Sequence, residues 1–165
     1  MENIVRGDNF ESHTAGLVAP SAVILDNDWG SVEPMLKYLW KRGFNTFLTS
    51  DPGKAISSFK KLGNMAVYLF DMHMDQYKRL GGRDTMHGTA VGLVAVNEIT
   101  NDGKDDRIDH CAIITEYDDA ADVGGIFKIL KSRGQSVERI DKGEFDQFVR
   151  FIDTFEYNFN RTKKG

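Results

Sequence analysis

The sequence predicts an α/β fold in which a parallel β-sheet carries helices on both of its faces. Five short apolar segments have the composition of strands that are buried on both sides. Stretches with the apolar spacing of amphipathic helices alternate with these segments, and such alternation is typical of a parallel sheet. With 165 residues, the chain has the length of one such domain. We therefore expect a single domain of five β–α units.

The five predicted strands are short apolar runs that end in polar residues. They span residues 22–25, 44–49, 65–70, 111–114 and 137–140. The last is the weakest, because Glu138 and Arg139 interrupt it. Cys111 opens the fourth run, and we interpret it as a buried strand thiol. As the only cysteine, it excludes an internal disulfide framework and a cysteine-based zinc site.

Capping signals delimit the first two predicted helices. Ser31 is predicted as the N-cap of the first helix, and Gly43 as the residue that stops it. The second helix is predicted to begin after the capping residue Asp51, with Pro52 at its first position, and to end at Gly63. Both helices present apolar residues at the spacing of one buried face.

The remaining three helices differ in how much of their surface is apolar. Residues 89–99 are apolar on nearly every side, which predicts the most buried helix of the domain. The fourth helix is predicted to begin at Asp118 or Asp119 and to end at Gly134. The last helix carries five phenylalanines, more than one buried stripe needs: Phe145, Phe148, Phe151, Phe155 and Phe159. It is either a well-anchored final helix or, in addition, a contact face for another protein or a second copy.

Composition and charge narrow the classes of partner. Subtracting 21 basic from 25 acidic residues gives a net charge of −4, which disfavours non-specific binding to nucleic acid or to anionic membranes. No apolar stretch approaches the roughly 20 residues of a membrane span, and the N-terminus lacks the pattern of a secretory signal. We therefore expect a cytoplasmic protein with a polar extension at 1–19, one domain at 20–160 and a tail at 161–165.

Polar side chains follow four of the predicted strands at the point where each strand ends. They are Asp26 and Asp28 after the first strand, Asp71 after the third, Thr115 after the fourth and Lys142 after the fifth. Because the carboxyl ends of parallel strands meet at one edge, these groups should lie close together. Clustered carboxylates favour Mg²⁺ over zinc. A carboxylate beside Mg²⁺, with a hydroxyl and an ammonium nearby, can accept a phosphoryl group.

Five short motifs occur along the chain in a characteristic order. They are Ile24-Leu25-Asp26-Asn27-Asp28, Leu69-Phe70-Asp71, Met86-His87-Gly88, Ile113-Ile114-Thr115 and Lys142-Gly143-Glu144-Phe145. Each is weak alone, but in this order and spacing residues 21–153 resemble the receiver domain of two-component response regulators. The resemblance implies a flavodoxin-like, doubly wound (βα)5 fold with the parallel strand order 2-1-3-4-5.

The resemblance also implies a function and a role for each site residue. A histidine kinase or a histidine phosphotransfer protein would transfer phosphate to Asp71 with Mg²⁺, and the domain would signal to a downstream protein rather than act as an enzyme. The implied Mg²⁺ ligands are Asp26, Asp28, Asp71 and the backbone carbonyl of His73. Thr115 would contact the phosphoryl group through its hydroxyl, and Lys142 would supply the counter-charge.

The sequence departs from the receiver pattern at several positions of the expected site. Asn27 separates two acids that are usually adjacent, so that Asp28 or Asn27 takes the place of the metal-binding acid. Gly143 replaces the proline that usually follows the lysine, which puts a cis peptide there in doubt. Arg139 stands where the family usually has an aromatic switch residue, so the signal would leave the domain through a different contact.

Two further features surround the expected phosphoryl site. Residues 76–84 form an insertion after the phosphoacceptor strand, which is either a lid or partner-docking element or a tolerated insertion. His73 and Tyr117 each lie two residues beyond a site residue. By resemblance, two ring side chains there predict restricted water access and a long-lived phosphoryl group.

Two alternative functions fit parts of the sequence. A receiver-like module that binds partners without phosphorylation would explain Asn27, Arg139 and Gly143. A haloacid-dehalogenase-type phosphatase would use Asp26 as nucleophile and Asp28 as general acid, but it gives no role to Asp71 and needs a further acidic pair after Lys142. Loss of labelling in Asp71→Ala would indicate a receiver, whereas loss of turnover in Asp26→Ala would indicate a phosphatase.

Overall fold

Eight strands and five α-helices make up the described part of the protein. The computed structural model describes residues 2–6, 19–72, 74, 79–80, 83–84, 91–100, 107–115 and 126–164. The strands are β1 (Glu2–Arg6), β2 (Ser21–Leu25), β3 (Asn45–Thr49), β4 (Ala66–Asp71), β5 (Arg79–Leu80), β6 (Arg83–Asp84), β7 (Cys111–Thr115) and β8 (Glu138–Asp141). The helices are α1 (Trp29–Lys41), α2 (Pro52–Leu62), α3 (Val91–Thr100), α4 (Ile126–Ser132) and α5 (Phe145–Lys164).

One sheet of six strands, in the order β1-β3-β2-β4-β7-β8, forms the centre of the molecule. Five of them, β3-β2-β4-β7-β8, are mutually parallel. Counted along the chain without β1, they stand in the order 2-1-3-4-5, which confirms the predicted doubly wound α/β fold. Each predicted strand matches an observed one to within about two residues, the usual uncertainty of element boundaries.

The sixth strand, β1, is a feature that the sequence analysis does not assign. It pairs antiparallel with β3, so that Glu2 lies opposite Thr49 and Arg6 lies opposite Asn45. The segment has only two apolar residues, Ile4 and Val5, and therefore carries neither a long apolar run nor clean alternation. It covers the outer edge of β3, which would otherwise present unpaired backbone groups.

Helices cover both faces of the sheet, as predicted. In β4, Val67 and Leu69 pack into a core cluster with α1 and α5, whereas Tyr68 and Phe70 pack into a second cluster with α2, α3 and α4. Successive side chains of a strand point to opposite faces, so a strand that is apolar throughout supplies both clusters. Cys111 is fully buried in the second cluster, and this burial raises the pKa of its thiol.

Helix α1 begins earlier than its sequence predicts. Its N-cap is Asp28 and not Ser31, because the carbonyl of Asp28 already accepts the backbone N–H of Ser31 at 3.1 Å and closes the first turn. The signals for α2 are confirmed: the side chain of Asp51 accepts the N–H of Gly53 at 2.9 Å, and Gly63 follows the helix with a φ of 53°.

Helix α3 is buried on nearly all sides, as its composition predicts. Eight of its ten residues are buried. It starts against the end of β4, where the N–H of Val91 donates to the carbonyl of Met72 at 2.9 Å. A Cβ atom on Gly92 would lie 2.6 Å from the carbonyl oxygen of Asp71. The absence of a side chain at Gly92 therefore allows α3 to approach the strand that ends in Asp71.

Part of the insertion after β4 has regular structure. Strands β5 and β6 pair antiparallel, with Arg79 opposite Asp84, and β5 contacts α3. The predicted start of the fourth helix at Asp118 or Asp119 lies outside the described residues, and α4 is followed by Gly134 with a φ of 77°. None of the described helices combines the length and apolar character that a membrane span requires.

The close approach at Gly92 can be tested with a matched pair of glycines. Gly92 and Gly30 are each the second residue of a helix, but a Cβ on Gly30 would meet only Asp28 Oδ1, at an ordinary 3.6 Å. We expect Gly92→Ala to lower the free energy of unfolding by about 1–3 kcal/mol, because backbone must shift. Gly30→Ala should be neutral or stabilising by up to about 1 kcal/mol. Urea unfolding of both variants measures the difference, and similar values would contradict this account.

Candidate functional site

The predicted site residues lie at the carboxyl edge of the parallel sheet. Asp26 directly follows β2, Asp71 ends β4, Thr115 ends β7, and Lys142 directly follows β8. The strands are in register there, since Asp71 lies opposite Ile114 in β7, and Thr115 lies opposite Asp141 in β8. Such an edge is where side chains from neighbouring strands can converge on one ligand.

Strand alternation places three of these residues on one side of the sheet. Ile24, Leu69 and Ile140 all pack into the core cluster with α1 and α5. Asp26, Asp71 and Lys142 each lie two residues further along the same chain segments and therefore belong to the same side. Ile113 packs into the opposite cluster, so alternation assigns Thr115, two residues beyond it, to the side of α2, α3 and α4.

The ammonium of Lys142 joins the two buried carboxylates. Its Nζ lies 2.8 Å from Asp26 Oδ2 and 3.8 Å from Asp71 Oδ1. The side chains of Lys142 and Asp71 are each 8% exposed, and that of Asp26 is fully buried. Charges at such depth are found where they are paired, because desolvation of a lone charge is costly.

Burial of Asp26 changes its affinity for protons. The pKa of Asp26 is raised above its ordinary value, chiefly because burial disfavours the charged form. The ammonium of Lys142 and the N–H of Asp28, which donates to Asp26 Oδ1 at 2.7 Å, oppose this increase. The negative charge of Asp28 adds to it. Lys142 therefore offsets part of the increase that burial causes in the pKa of Asp26.

A turn closed by the side chain of Asp141 fixes the backbone at Lys142. The N–H of Lys142 donates to the carbonyl of Thr115 at 2.9 Å and continues the pairing of β7 with β8. Asp141 Oδ1 accepts the N–H of Gly143 at 2.8 Å, and the Asp141 carbonyl accepts that of Glu144 at 2.9 Å. This turn needs a backbone N–H at position 143. Proline has no N–H and could not make the bond, whereas Gly143 supplies it. The described residues include no cis peptide.

Ser31 is a site residue whose position in the sequence predicts only helix capping. Its hydroxyl donates to the carbonyl of Asp28 at 2.7 Å and accepts a hydrogen bond from Lys142 Nζ at 3.0 Å. The sequence-level signal was a hydroxyl in the first turn of the helix that follows the acidic strand end. That signal becomes specific only once the start of α1 is known.

The donor chemistry of the edge fits a divalent cation. Asp26, Asp28 and Asp71 bring three carboxyl groups against the single ammonium of Lys142, and this excess of oxygen donors suits a hard divalent cation. Within that part of the chain, however, no three Asp, Glu, His or Cys side chains are already grouped as a metal site. Asp28 is exposed, and its carboxylate makes no capping bond.

Several expected contributors lie outside the described residues. These are His73, Tyr117 and the motif at 86–88. Arg139 is described and is exposed on β8, consistent with a guanidinium that does not take the buried position of an aromatic residue.

Three solved structures are similar to this fold. The signal receiver domain of a modulated diguanylate cyclase from Desulfovibrio desulfuricans G20 is 15% identical, with 88% of this chain and 99% of that chain covered and a TM-score of 0.55. A response regulator receiver protein from Pseudomonas putida is 13% identical, with 83% and 98% covered and a TM-score of 0.53. The receiver domain of a sensor histidine kinase from Pseudomonas aeruginosa PAO1, described with magnesium in its active site cleft, is 16% identical, with 82% and 99% covered and a TM-score of 0.52.

The chain therefore has the fold of a response-regulator receiver domain, as the motifs implied. Comparison of the sequence itself with protein-family models and with curated proteins finds no match. At identities of 13–16%, the likeness to the three structures concerns the fold, and function has to be argued from the site.

The dependence of Asp26 on Lys142 gives a pH-dependent prediction. Lys142→Met should lower the free energy of unfolding by about 3 kcal/mol at pH 8, because Asp26 is left buried without its counter-charge. Without Lys142, the pKa of Asp26 rises further. When a carboxyl has a higher pKa in the folded than in the unfolded protein, the folded state loses stability as the pH rises from the lower pKa to the higher. The deficit should therefore shrink towards pH 5.

Urea unfolding at pH 8 and pH 5 measures this effect. Lys37→Met is the matched control, because Lys37 pairs with Glu33 on an exposed face at 3.1 Å and should contribute less than about 1 kcal/mol at either pH. Adding Asp26→Asn to Lys142→Met should recover most of the loss. A deficit that does not depend on pH, or that Asp26→Asn does not relieve, would contradict the coupling.

Proposed function

We propose that the protein is a receiver-type signalling domain that accepts a phosphoryl group on Asp71. The donor would be a histidine kinase or a histidine phosphotransfer protein, the reaction would require Mg²⁺, and the signal would pass to a downstream protein in the cytoplasm. The observation that carries the proposal is the position of the Lys142 ammonium, 2.8 Å from Asp26 and 3.8 Å from Asp71 at the carboxyl edge. Of the two carboxylates, Asp71 is the one that lies further from the ammonium.

The chemistry assigns different tasks to the two carboxylates. An oxygen of Asp71 would attack phosphorus, the bond from phosphorus to the donor imidazole nitrogen would break, and the imidazole would leave and take a proton from solvent. Asp26 is fully buried and in closer contact with the ammonium, so it is less suited to attack a phosphate. This contrast favours a receiver over a phosphatase with Asp26 as nucleophile.

Lys142 and Thr115 would act on the phosphorylated side chain. The ammonium is already within 3.8 Å of Asp71 and would neutralise part of the charge on the phosphoryl oxygens. Thr115 ends the neighbouring strand and is buried. Because strand alternation assigns it to the opposite side of the sheet, its hydroxyl would have to turn across the edge to reach the phosphoryl group.

Mg²⁺ would be held by Asp26, Asp28 and Asp71, with the backbone carbonyl of His73 as a further donor. The ion would neutralise charge between the carboxylates and the incoming phosphoryl group. Among Asp26, Asp28, Asp71 and Lys142, three acidic groups stand against one basic group, and this surplus supports binding of a divalent cation. Asp28 contributes through an exposed side chain, so it is free to adjust to the ion.

A second candidate function is partner binding without phosphorylation. It is favoured by the finding that the described residues hold no ready group of three metal-binding side chains, and by Asn27 between the two acids. In that case Lys142 would serve as a permanent counter-ion for Asp26 and Asp71. The binding surface would then include α5, where a second copy of the chain could contact the exposed Phe145 and Tyr157.

Labelling with acetyl phosphate separates these functions. The wild-type protein with Mg²⁺ should gain one base-labile phosphoryl group, detected by intact-protein mass spectrometry, and Asp71→Asn should abolish it. Asp51→Asn is the matched control: it also follows a strand at the same edge, and asparagine preserves its role as the N-cap of α2. Labelling that persists in Asp71→Asn would refute the assignment. No labelling of the wild type would favour the binding module.

Binding of Mg²⁺ can be measured without a phosphodonor. Trp29 directly follows Asp28 at the start of α1, so its fluorescence should report on an ion bound there. We expect a saturable change with MgCl₂ that Asp28→Asn or Asp71→Asn weakens by about tenfold or more, because each removes a charged ligand. Trp29→Phe, which leaves Trp40 as the other tryptophan, should abolish the change. An equal response to KCl of the same ionic strength would argue against a specific site.

A further inference from the structure

The hydroxyl of Ser31 makes a contact that the proposed phosphorylation chemistry does not use. Lys142 Nζ donates to Ser31 Oγ at 3.0 Å, close to its 2.8 Å contact with Asp26 Oδ2 and shorter than its 3.8 Å contact with Asp71 Oδ1. Ser31 therefore acts on the same ammonium as the two carboxylates. Its hydrogen bond lies within the normal range, whereas the distance to Asp71 is that of an ion pair only.

The backbone fixes the orientation of this hydroxyl. Ser31 is the third residue of α1, and its Oγ–H donates to the carbonyl of Asp28 at 2.7 Å. Its proton is thereby engaged, so the oxygen faces Lys142 as an acceptor. Asp28 O also accepts the N–H of Ser31, which holds residue 31 close to the loop that follows β2. The hydroxyl is thus placed by the first turn of the helix.

We propose that Ser31 is a positioning residue that holds the Lys142 ammonium on the Asp26 side of the site and away from Asp71. An ammonium has three N–H groups, and an acceptor at 3.0 Å competes with Asp71 for one of them. The helix end that carries Ser31 is fixed by backbone hydrogen bonds, so the acceptor keeps its place while the lysine chain can turn. Removing the hydroxyl should let Nζ move towards Asp71.

The effect of Ser31 on phosphorylation of Asp71 rests on the proposed function. A phosphoryl group on Asp71 would attract Lys142 more strongly than the carboxylate does. The hydrogen bond from Lys142 to Ser31 would therefore form mainly in the unphosphorylated protein. Removal of an interaction that stabilises the resting state shifts the equilibrium towards the phosphorylated state. Ser31→Ala should therefore increase the ratio of phosphorylated to unphosphorylated protein at a fixed acetyl phosphate concentration. For one net hydrogen bond the increase is about fivefold.

The first test needs no phosphodonor. Crystal structures of the unphosphorylated wild type, Ser31→Ala and Ser31→Thr give the distance from Lys142 Nζ to Asp71. In Ser31→Ala this distance should shorten to about 3 Å, a hydrogen bond, whereas Ser31→Thr, which keeps a hydroxyl, should retain the wild-type position. An unchanged lysine position in Ser31→Ala would overturn the proposal. Alanine is a better helix former than serine, so the variant should fold.

The second test compares the labelled fraction with that of a matched serine. Ser57 lies in α2, on the opposite face of the sheet from α1, and donates its hydroxyl to the carbonyl three residues before it, as Ser31 does. Ser57→Ala should leave the labelled ratio unchanged, while Ser31→Ala raises it about fivefold and Ser31→Thr restores it. If Asp71 is labelled and Ser31→Ala has no effect, the proposal is wrong.

The two tests distinguish failure of this inference from failure of the proposed function. If the wild type is never labelled but Lys142 moves in Ser31→Ala, the proposed phosphorylation is wrong and the positioning role of Ser31 is supported. If labelling of Asp71 occurs while the lysine keeps its place in Ser31→Ala, the positioning role is wrong and the phosphoacceptor assignment is supported.

Discussion

The buried ion pair between Lys142 and Asp26 is the interaction on which the arrangement of the site depends. Asp26 is fully buried, and burial alone would drive its carboxyl towards the protonated form. The lysine opposes this increase in pKa, and its ammonium also lies 3.8 Å from Asp71. One cation thereby links the ends of three strands. A replacement of Lys142 alters charge, proton affinity and side-chain position together, and these effects have to be separated by double substitution.

The parallel sheet provides the geometry that this ion pair needs. Ile24, Leu69 and Ile140 anchor one face of β2, β4 and β8, and the charged residues lie two positions further along each chain segment, on the same side. The same strand residues that build the core thus determine which polar groups meet at the edge. Gly92 completes the arrangement, because it lets α3 approach the end of β4. The register of the strands consequently determines both how the core packs and which polar groups meet at the site.

The features that side-chain burial determines could be predicted from the sequence, whereas those that backbone hydrogen bonds determine could not. The parallel strands were predictable because burial on both faces leaves continuous apolar runs, and strand ends locate Asp26, Asp71 and Lys142. Strand β1 was not predictable, because pairing at a sheet edge uses backbone groups and does not require a particular residue pattern in Glu2–Arg6. The role of Ser31 could not be predicted either, because it depends on where α1 begins. That start is set by the backbone hydrogen bond from Ser31 N–H to the carbonyl of Asp28.

The first strand has a consequence for how this domain can be handled and recognised. Residues 2–6 occupy the side of β3 at which a foreign strand could otherwise dock by backbone pairing. A shortened protein that starts after Arg6 would present that row of amide and carbonyl groups to solvent. Binding or aggregation data from such a trimmed protein would then describe a surface that the longer chain keeps covered.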